Sequence, residues 1–187
     1  MVRRTLVKLP FEVSYFGEGR IKTAEIYPNP GWRLDYDTSH VQTLGSYLVE
    51  ETGKGDFKIT SPSPEEGPIR FHHYAGKKTD LEPPGYKVHE DKLALGEWWE
   101  SPYFRLRIVE TDSDILTRES PKSVRVNLSS LESLVESYFE RVKIEPTSEG
   151  SAAIDLTMQG AVPEKVQDYV DEFEITAASV VDPRLDY

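Results

Sequence analysis

The chain of 187 residues has no cysteine. Disulfides, thiolate metal sites and a cysteine nucleophile are thereby excluded. The redox compartment stays open, because a chain without thiols folds alike in oxidising and reducing surroundings. Positive charge is scarce: 22 Lys and Arg stand against 33 Asp and Glu, for a formal net charge of −11. Nucleic acid is not an expected partner, since no basic surface exists to displace phosphate counterions. The one basic cluster, Arg3, Arg4 and Lys8, reads as a solvated terminus. Long apolar runs are missing as well, and no window approaches the roughly 18 residues of a membrane-spanning helix. The charged start Met1–Pro10 lacks the apolar core and small-residue cleavage site of a signal peptide. The chain is expected to be soluble.

Recognisable catalytic and ligand-binding signatures are also wanting. Gly53-Lys-Gly55 lacks the longer glycine spacing and following Lys-Ser or Lys-Thr of a phosphate loop. No G-x-S-x-G elbow occurs. His72 and His73 are adjacent on an expected strand, where neighbours point to opposite faces, and His40 and His89 are distant. Asp35 with Asp37, and Asp112 with Asp114, read as solvated surface acids rather than a general acid/base pair. No catalytic residue, cofactor or metal ligand is assigned, and the chain is not expected to be an enzyme.

The stretch from Ser123 to Phe173 organises the rest. Ser123–Leu128 alternates as a strand does. Ser129 at the N-cap with Glu132 at the third helical position forms a capping box. Leu131, Leu134, Val135, Tyr138 and Val142 then make one apolar helical stripe. Lys143–Glu145 and Ala152–Met158 are expected strands joined across Pro146–Gly150. Pro163 suits the first turn of a second helix, whose buried face carries Val162, Val166, Tyr169, Val170 and Phe173. Ile175–Pro183 reads as a final strand and Arg184–Tyr187 as a frayed end.

Upstream, short alternating segments separated by turns follow an all-β pattern. Phe11–Phe16 and Arg20–Ile26 form a hairpin around Gly17–Gly19. Pro28–Gly31 is a turn, and Trp32, Leu34 and Tyr36 share the buried face of the next strand. Leu44–Glu51 reads as a strand or a helical turn. Asp56–Thr60 and Ile69–Tyr74 are strands around the polar, proline-rich loop Ser61–Pro68. In Tyr103–Val109, Phe104, Leu106 and Ile108 face one way, and Arg105 and Arg107 the other. The expected fold class is α+β: a β-rich part with antiparallel hairpins over 1–110, a mobile loop over 111–122, and a βαββα unit over 123–187 with both helices on one sheet face. Trp98 and Trp99 are the candidate glycan-stacking residues. On a strand they split, one inward and one outward.

Three passages together resemble a known family. Phe11–Tyr27 is similar to the opening of the periplasmic region in bacterial exopolysaccharide-transport proteins. Leu95-Gly-Glu97 with Tyr103–Ile108 resembles a later passage of the same proteins. Val142–Glu145, Gly150–Gly160 and Pro163–Val170 resemble their strand-to-helix pattern. The family is the polysaccharide co-polymerases, or Wzz-type chain-length determinants, which include the periplasmic part of Wzc-like tyrosine autokinases. The likeness runs over residues 11 to 173, and order and spacing carry it rather than any single motif. It implies an α+β periplasmic domain at the bacterial inner membrane and ring-like homo-oligomers. It also implies control of polysaccharide chain length and export, alongside a polymerase and the polysaccharide itself, without catalysis in this region. The family's flanking transmembrane helices, and the long helical hairpin that follows the position of Phe173, have no counterpart in this sequence. A fragment, a shortened form or a stand-alone relative is therefore expected. The alternatives are a carbohydrate-binding β module using exposed aromatics and, third, a hydrolase with an acidic site.

Overall fold

The computed structural model describes residues 1–18, 23–53, 55–76, 78–81, 85–111, 121–146 and 154–181. The fold is α+β, and the chain forms two compact units. One is Val13–Ser129; the other joins Met1–Glu12 to Ser130–Tyr187. The division falls at Ser129 rather than in the 111–122 stretch, because Ser123–Leu128 is hydrogen-bonded into the β-rich unit. Residues 112–120 of the expected loop lie outside the described residues.

The β-rich unit holds eleven strands: β1 (Val13–Glu18), β2 (Thr23–Ile26), β3 (Trp32–Tyr36), β4 (Gln42–Gly53), β5 (Asp56–Thr60), β6 (Arg70–His73), β7 (Lys78–Leu81), β8 (Glu90–Ala94), β9 (Trp98–Ser101), β10 (Phe104–Glu110) and β11 (Ser123–Leu128). One sheet runs in the order β2-β1-β11-β4-β5-β8, and β6 pairs with both β4 and β7. The second sheet is β3-β10-β9. Every pairing in the unit is antiparallel. Leu44–Glu51 is thus strand, resolved by its pairing on both sides.

Both sheets contribute to one core, and period-two alternation decides what enters it. Phe104, Leu106 and Ile108 of β10 are each 0% exposed. Each such side chain contributes about 1.5–3 kcal/mol by leaving water. Across the sheets, Tyr15 meets the Trp32 ring edge-on at 5.7 Å, and Trp32 meets Phe57 at 5.6 Å. Polar ties accompany the packing. The Tyr15 hydroxyl accepts the Leu34 N–H at 3.0 Å. Gln42, fully buried, donates from Nε2 to the Asp37 and Arg105 carbonyls at 2.7 and 3.2 Å and accepts the Arg105 N–H at 3.3 Å. A buried carboxamide is tolerated because it finds these partners.

The second unit comprises α1 (Val2–Leu6), α2 (Leu131–Arg141), β12 (Val142–Pro146), β13 (Ile154–Met158) and α3 (Pro163–Val181). Its centre is a chain of rings: Phe11 to Tyr138 at 5.7 Å, Tyr138 to Tyr169 at 5.0 Å, and Tyr169 to Phe173 at 6.1 Å. The basic terminus is built in rather than merely solvated. Thr5 and Leu6 of α1 are buried, Arg3 pairs with Glu132 at 3.1 Å, and Lys8 pairs with Glu172 at 3.1 Å.

The five elements from Ser123 to Phe173 occur in the expected order, but not around one sheet. Here β11 belongs to the large sheet, while β12 and β13 pair as a separate two-stranded ribbon. The N-cap of α2 is Ser130, whose side chain accepts the Ser133 N–H at 3.2 Å, rather than Ser129 with Glu132. Tyr138, Tyr169 and Phe173 are buried, whereas Leu131, Leu134, Val166 and Val170 are half-buried. Ile175–Val181 continues α3 and is not a strand. Its β-branched residues favour strand, but Tyr169, Phe173 and Thr176 recur at helical spacing on the buried side, and packing overrides propensity. Among the described residues no helix is long and apolar enough to cross a membrane.

Candidate functional site

Trp98 and Trp99 divide as alternation requires. Trp99 is 6% exposed in the core, 4.3 Å from the Phe104 ring. Trp98 stands half-buried on the opposite side of β9, opposite Arg107 in register. Its ring carries the guanidiniums of Arg107 at 4.4 Å and Arg105 at 4.7 Å. Arg107 is held by Asp35 through two bonds of 2.8 and 2.9 Å, and Arg105 by a short bond to Asp37. The Ser39 hydroxyl and N–H, with Arg105, lower the Asp37 carboxyl to about 2. The face is a cross-strand array of cation–π and ion-pair contacts, worth a few tenths to about 1 kcal/mol per pair. Its guanidiniums are already matched by carboxylates.

A groove of about 660 Å³ lies elsewhere in this unit, on the large sheet beside β4 and β11. Ser46 of β4 and Asn127 of β11 are register partners in it, so their side chains share one face. Ser46 Oγ is buried with no hydrogen-bond partner among the described residues. The 61–69 segment forms the facing wall. Ser61 Oγ accepts both the Tyr86 hydroxyl at 2.9 Å and the His89 N–H at 2.8 Å. Ile69, at the other end, is buried beside Phe71 and Tyr86. Pro62 rests against Gly45, where an added Cβ would come within 3.3 Å and φ is +126°. At the rim Arg125 pairs with Glu66 at 3.0 Å.

The histidines serve packing and backbone contacts. His72 is buried with Nδ1 2.9 Å from Thr79 Oγ1, while exposed His73 lies 3.5 Å from Asp80. His40 Nε2 is 2.9 Å from the Ser101 carbonyl and so carries the proton. His89 packs edge-on to Phe104 at 5.6 Å. Among the described residues no group of three or more His, Asp or Glu could hold a metal ion. Asp112 and Asp114 lie outside the described residues.

The helical unit offers apolar surface instead. Phe139 of α2 is 74% exposed, Ile175 of α3 58% and Ile144 of β12 47%. In the ribbon, Val142 opposes Met158 and Ile144 opposes Leu156, which puts these four on one face, with Lys143, Glu145, Asp155 and Thr157 on the other. Ile144 is 47% exposed even though it lies on this apolar face.

Sequence reading missed Ser46, Asn127 and Arg125 as groove residues. Gly45-Ser46 inside a strand was the available signal, since a strand glycine often marks close approach of another backbone. No protein-family model and no curated protein matches the chain.

Proposed function

We propose that this chain is a non-enzymatic scaffold domain of bacterial exopolysaccharide chain-length control and export. It acts at the periplasmic face of the inner membrane, and copies associate through the helical unit. One observation carries the reading. Of the seven large apolar side chains exposed among the described residues, five (Met1, Val7, Phe139, Ile144 and Ile175) belong to the smaller, helical unit. Exposed apolar side chains mark an interaction surface where they join into one patch, and the helical unit holds most of those that could. Covering a side chain such as Phe139 regains about 1.5–3 kcal/mol. Contacts of that size are weak singly and become sufficient when neighbours are held at high effective concentration. The resemblance over residues 11–173 to polysaccharide co-polymerases supplies the biological setting.

Sedimentation velocity across protein and salt concentration tests it. With a net charge of −11 per copy, repulsion opposes association until salt screens it. The expected result is a monomer, or monomer–dimer exchange, at low ionic strength, with association that strengthens as salt rises and is lost in Phe139→Asp and Ile175→Asp. Association that fails to appear as salt and protein concentration rise, or that is indifferent to both substitutions, would sink the reading.

A further inference from the structure

We infer that strand β12 is the edge through which two copies of this chain pair, antiparallel about a twofold axis at Ile144, into one four-stranded sheet of order β13-β12-β12-β13. This rests on the reading that copies associate through the helical unit, and it names the strand and the register. Lys143, Ile144 and Glu145 are successive strand residues and all three are exposed, Ile144 at 47%. Among the described residues β12 pairs with β13 alone. A two-stranded ribbon is marginal in water, and further strands sharing an apolar face stabilise it. The backbone of an edge strand supplies the hydrogen bonds for that growth. The chain treats another edge differently. Strand β8 ends the large sheet, and its Lys92 and Ala94 amides are taken by the side chains of Asp91 at 2.8 Å and Glu97 at 2.9 Å.

The side chains select a second copy, and one register. A twofold axis perpendicular to the sheet sets Ile144 against Ile144 of the other copy, and Lys143 against its Glu145. Symmetry repeats the charge pair, so each cation meets a carboxylate, and such cross-strand pairs favour the pairing. Moving the axis by one residue centres it on Lys143 or on Glu145 and puts like charges face to face, which opposes pairing. The axis at Ile144 also keeps the faces together. Val142, Ile144, Leu156 and Met158 of both copies then lie on one side of the sheet. Strand β13 is less suited, because an axis at Leu156 sets Asp155 against Thr157 and gains no charge pair. Pro146 has no N–H to donate, and this register places it at the ends of the paired stretch, where proline is tolerated.

The lack of cysteine makes the axis testable, since an introduced thiol has no rival in the chain. Facing Cα atoms of an antiparallel pair lie about 4.5–5.5 Å apart, within the roughly 4.4–6.8 Å that a disulfide spans. On mild oxidation Ile144→Cys should therefore give a disulfide-linked dimer roughly tenfold faster than Thr157→Cys, exposed on β13. Sedimentation of the full chain is the second arm. Lys143→Glu or Glu145→Lys alone should weaken association roughly tenfold. Glu145→Lys is the stricter of the two, because it lowers the net charge of −11 and by general repulsion alone would strengthen association. The double variant should restore association, because the exchanged charges face each other again. Helical circular dichroism reports in each variant that the unit is folded. Equal cross-linking at the two positions, or a double variant as weak as the single ones, overturns the inference. If the unaltered chain still associates in that case, the assembly reading survives. A chain that stays monomeric at every salt concentration and does not cross-link overturns both.

Discussion

The two units handle apolar surface in opposite ways. In the β-rich unit two sheets close on one core, and Phe104, Leu106 and Ile108 lose all contact with water. Its polar groups are tied inward, as Gln42 and Tyr15 show. Its outer face is a matched array of Asp35, Asp37, Arg105, Arg107 and Trp98. In the helical unit the rings of Phe11, Tyr138, Tyr169 and Phe173 form a narrow centre. The flanking Leu131, Leu134, Val166 and Val170 are only half-buried, and Phe139 and Ile175 face water. Two sheets closing on one core cover both inner faces, whereas a few helices beside an isolated two-stranded ribbon leave apolar surface over. The first unit is internally complete; the second retains surface that association can cover.

The spectroscopy of the chain keeps the two apart. Trp32, Trp98 and Trp99 are the three tryptophans and all lie in the β-rich unit, so tryptophan fluorescence reports that unit alone. Among the described residues all three helices lie in the other unit, so helical circular dichroism reports that one. The largest expected effect is Leu106→Ala, which should cost about 2–5 kcal/mol by fluorescence-detected urea unfolding. Leu134→Ala, half-buried, should cost nearer ~1–2 kcal/mol by circular dichroism. Equal costs would erase the contrast between the cores.

Alkaline titration comes next. Burial pushes the hydroxyls of Tyr15 and Tyr169, one in each unit, from 10.0 up to about 12. A raised folded pKa contributes stability that is complete below the unfolded value and is lost as pH rises through the folded one. Both probes should therefore report falling stability between pH 10 and 12, by roughly 2–3 kcal/mol for Tyr15. Tyr15→Phe should reduce the fluorescence-detected loss without abolishing it, since burial also raises the Tyr47 and Tyr86 hydroxyls in that unit, while the circular-dichroism loss is unchanged. An unchanged fluorescence profile in that variant would remove Tyr15 from the account.

Gln42→Ala should cost about 1–3 kcal/mol, because it strands the Asp37 and Arg105 backbone groups it now satisfies. A neutral result by fluorescence would mean that water replaces the carboxamide. A smaller effect belongs to Ser130→Ala, which removes the N-cap of α2 and should cost about 1 kcal/mol in the helical unit. Ser129→Ala should cost less than Ser130→Ala, and the reverse order would restore the capping box expected from the sequence.

Much of the local structure was legible because it rests on short-range periodicity. The β1–β2 pairing, the alternation of β10, the split of Trp98 from Trp99 and the start of α3 at Pro163 all follow from neighbours in sequence. The groove was not legible, because its floor pairs residues 46 and 127 and its wall comes from 61–69.

By itself the sequence determined which segments alternate, which repeat at helical spacing, and that thiol chemistry is impossible. Those properties depend on residue type and on neighbours a few positions away. Only the tertiary structure decided that β11 completes the large sheet rather than a βαββα sheet, since a strand's partners are chosen by register and burial across distant residues. It also decided that Ile175–Val181 is helix, because Thr176 is buried one further turn beyond Phe173 and packing outweighs the strand propensity of its neighbours. It left Ile144 47% exposed although the ribbon register places it beside Leu156 on an apolar face.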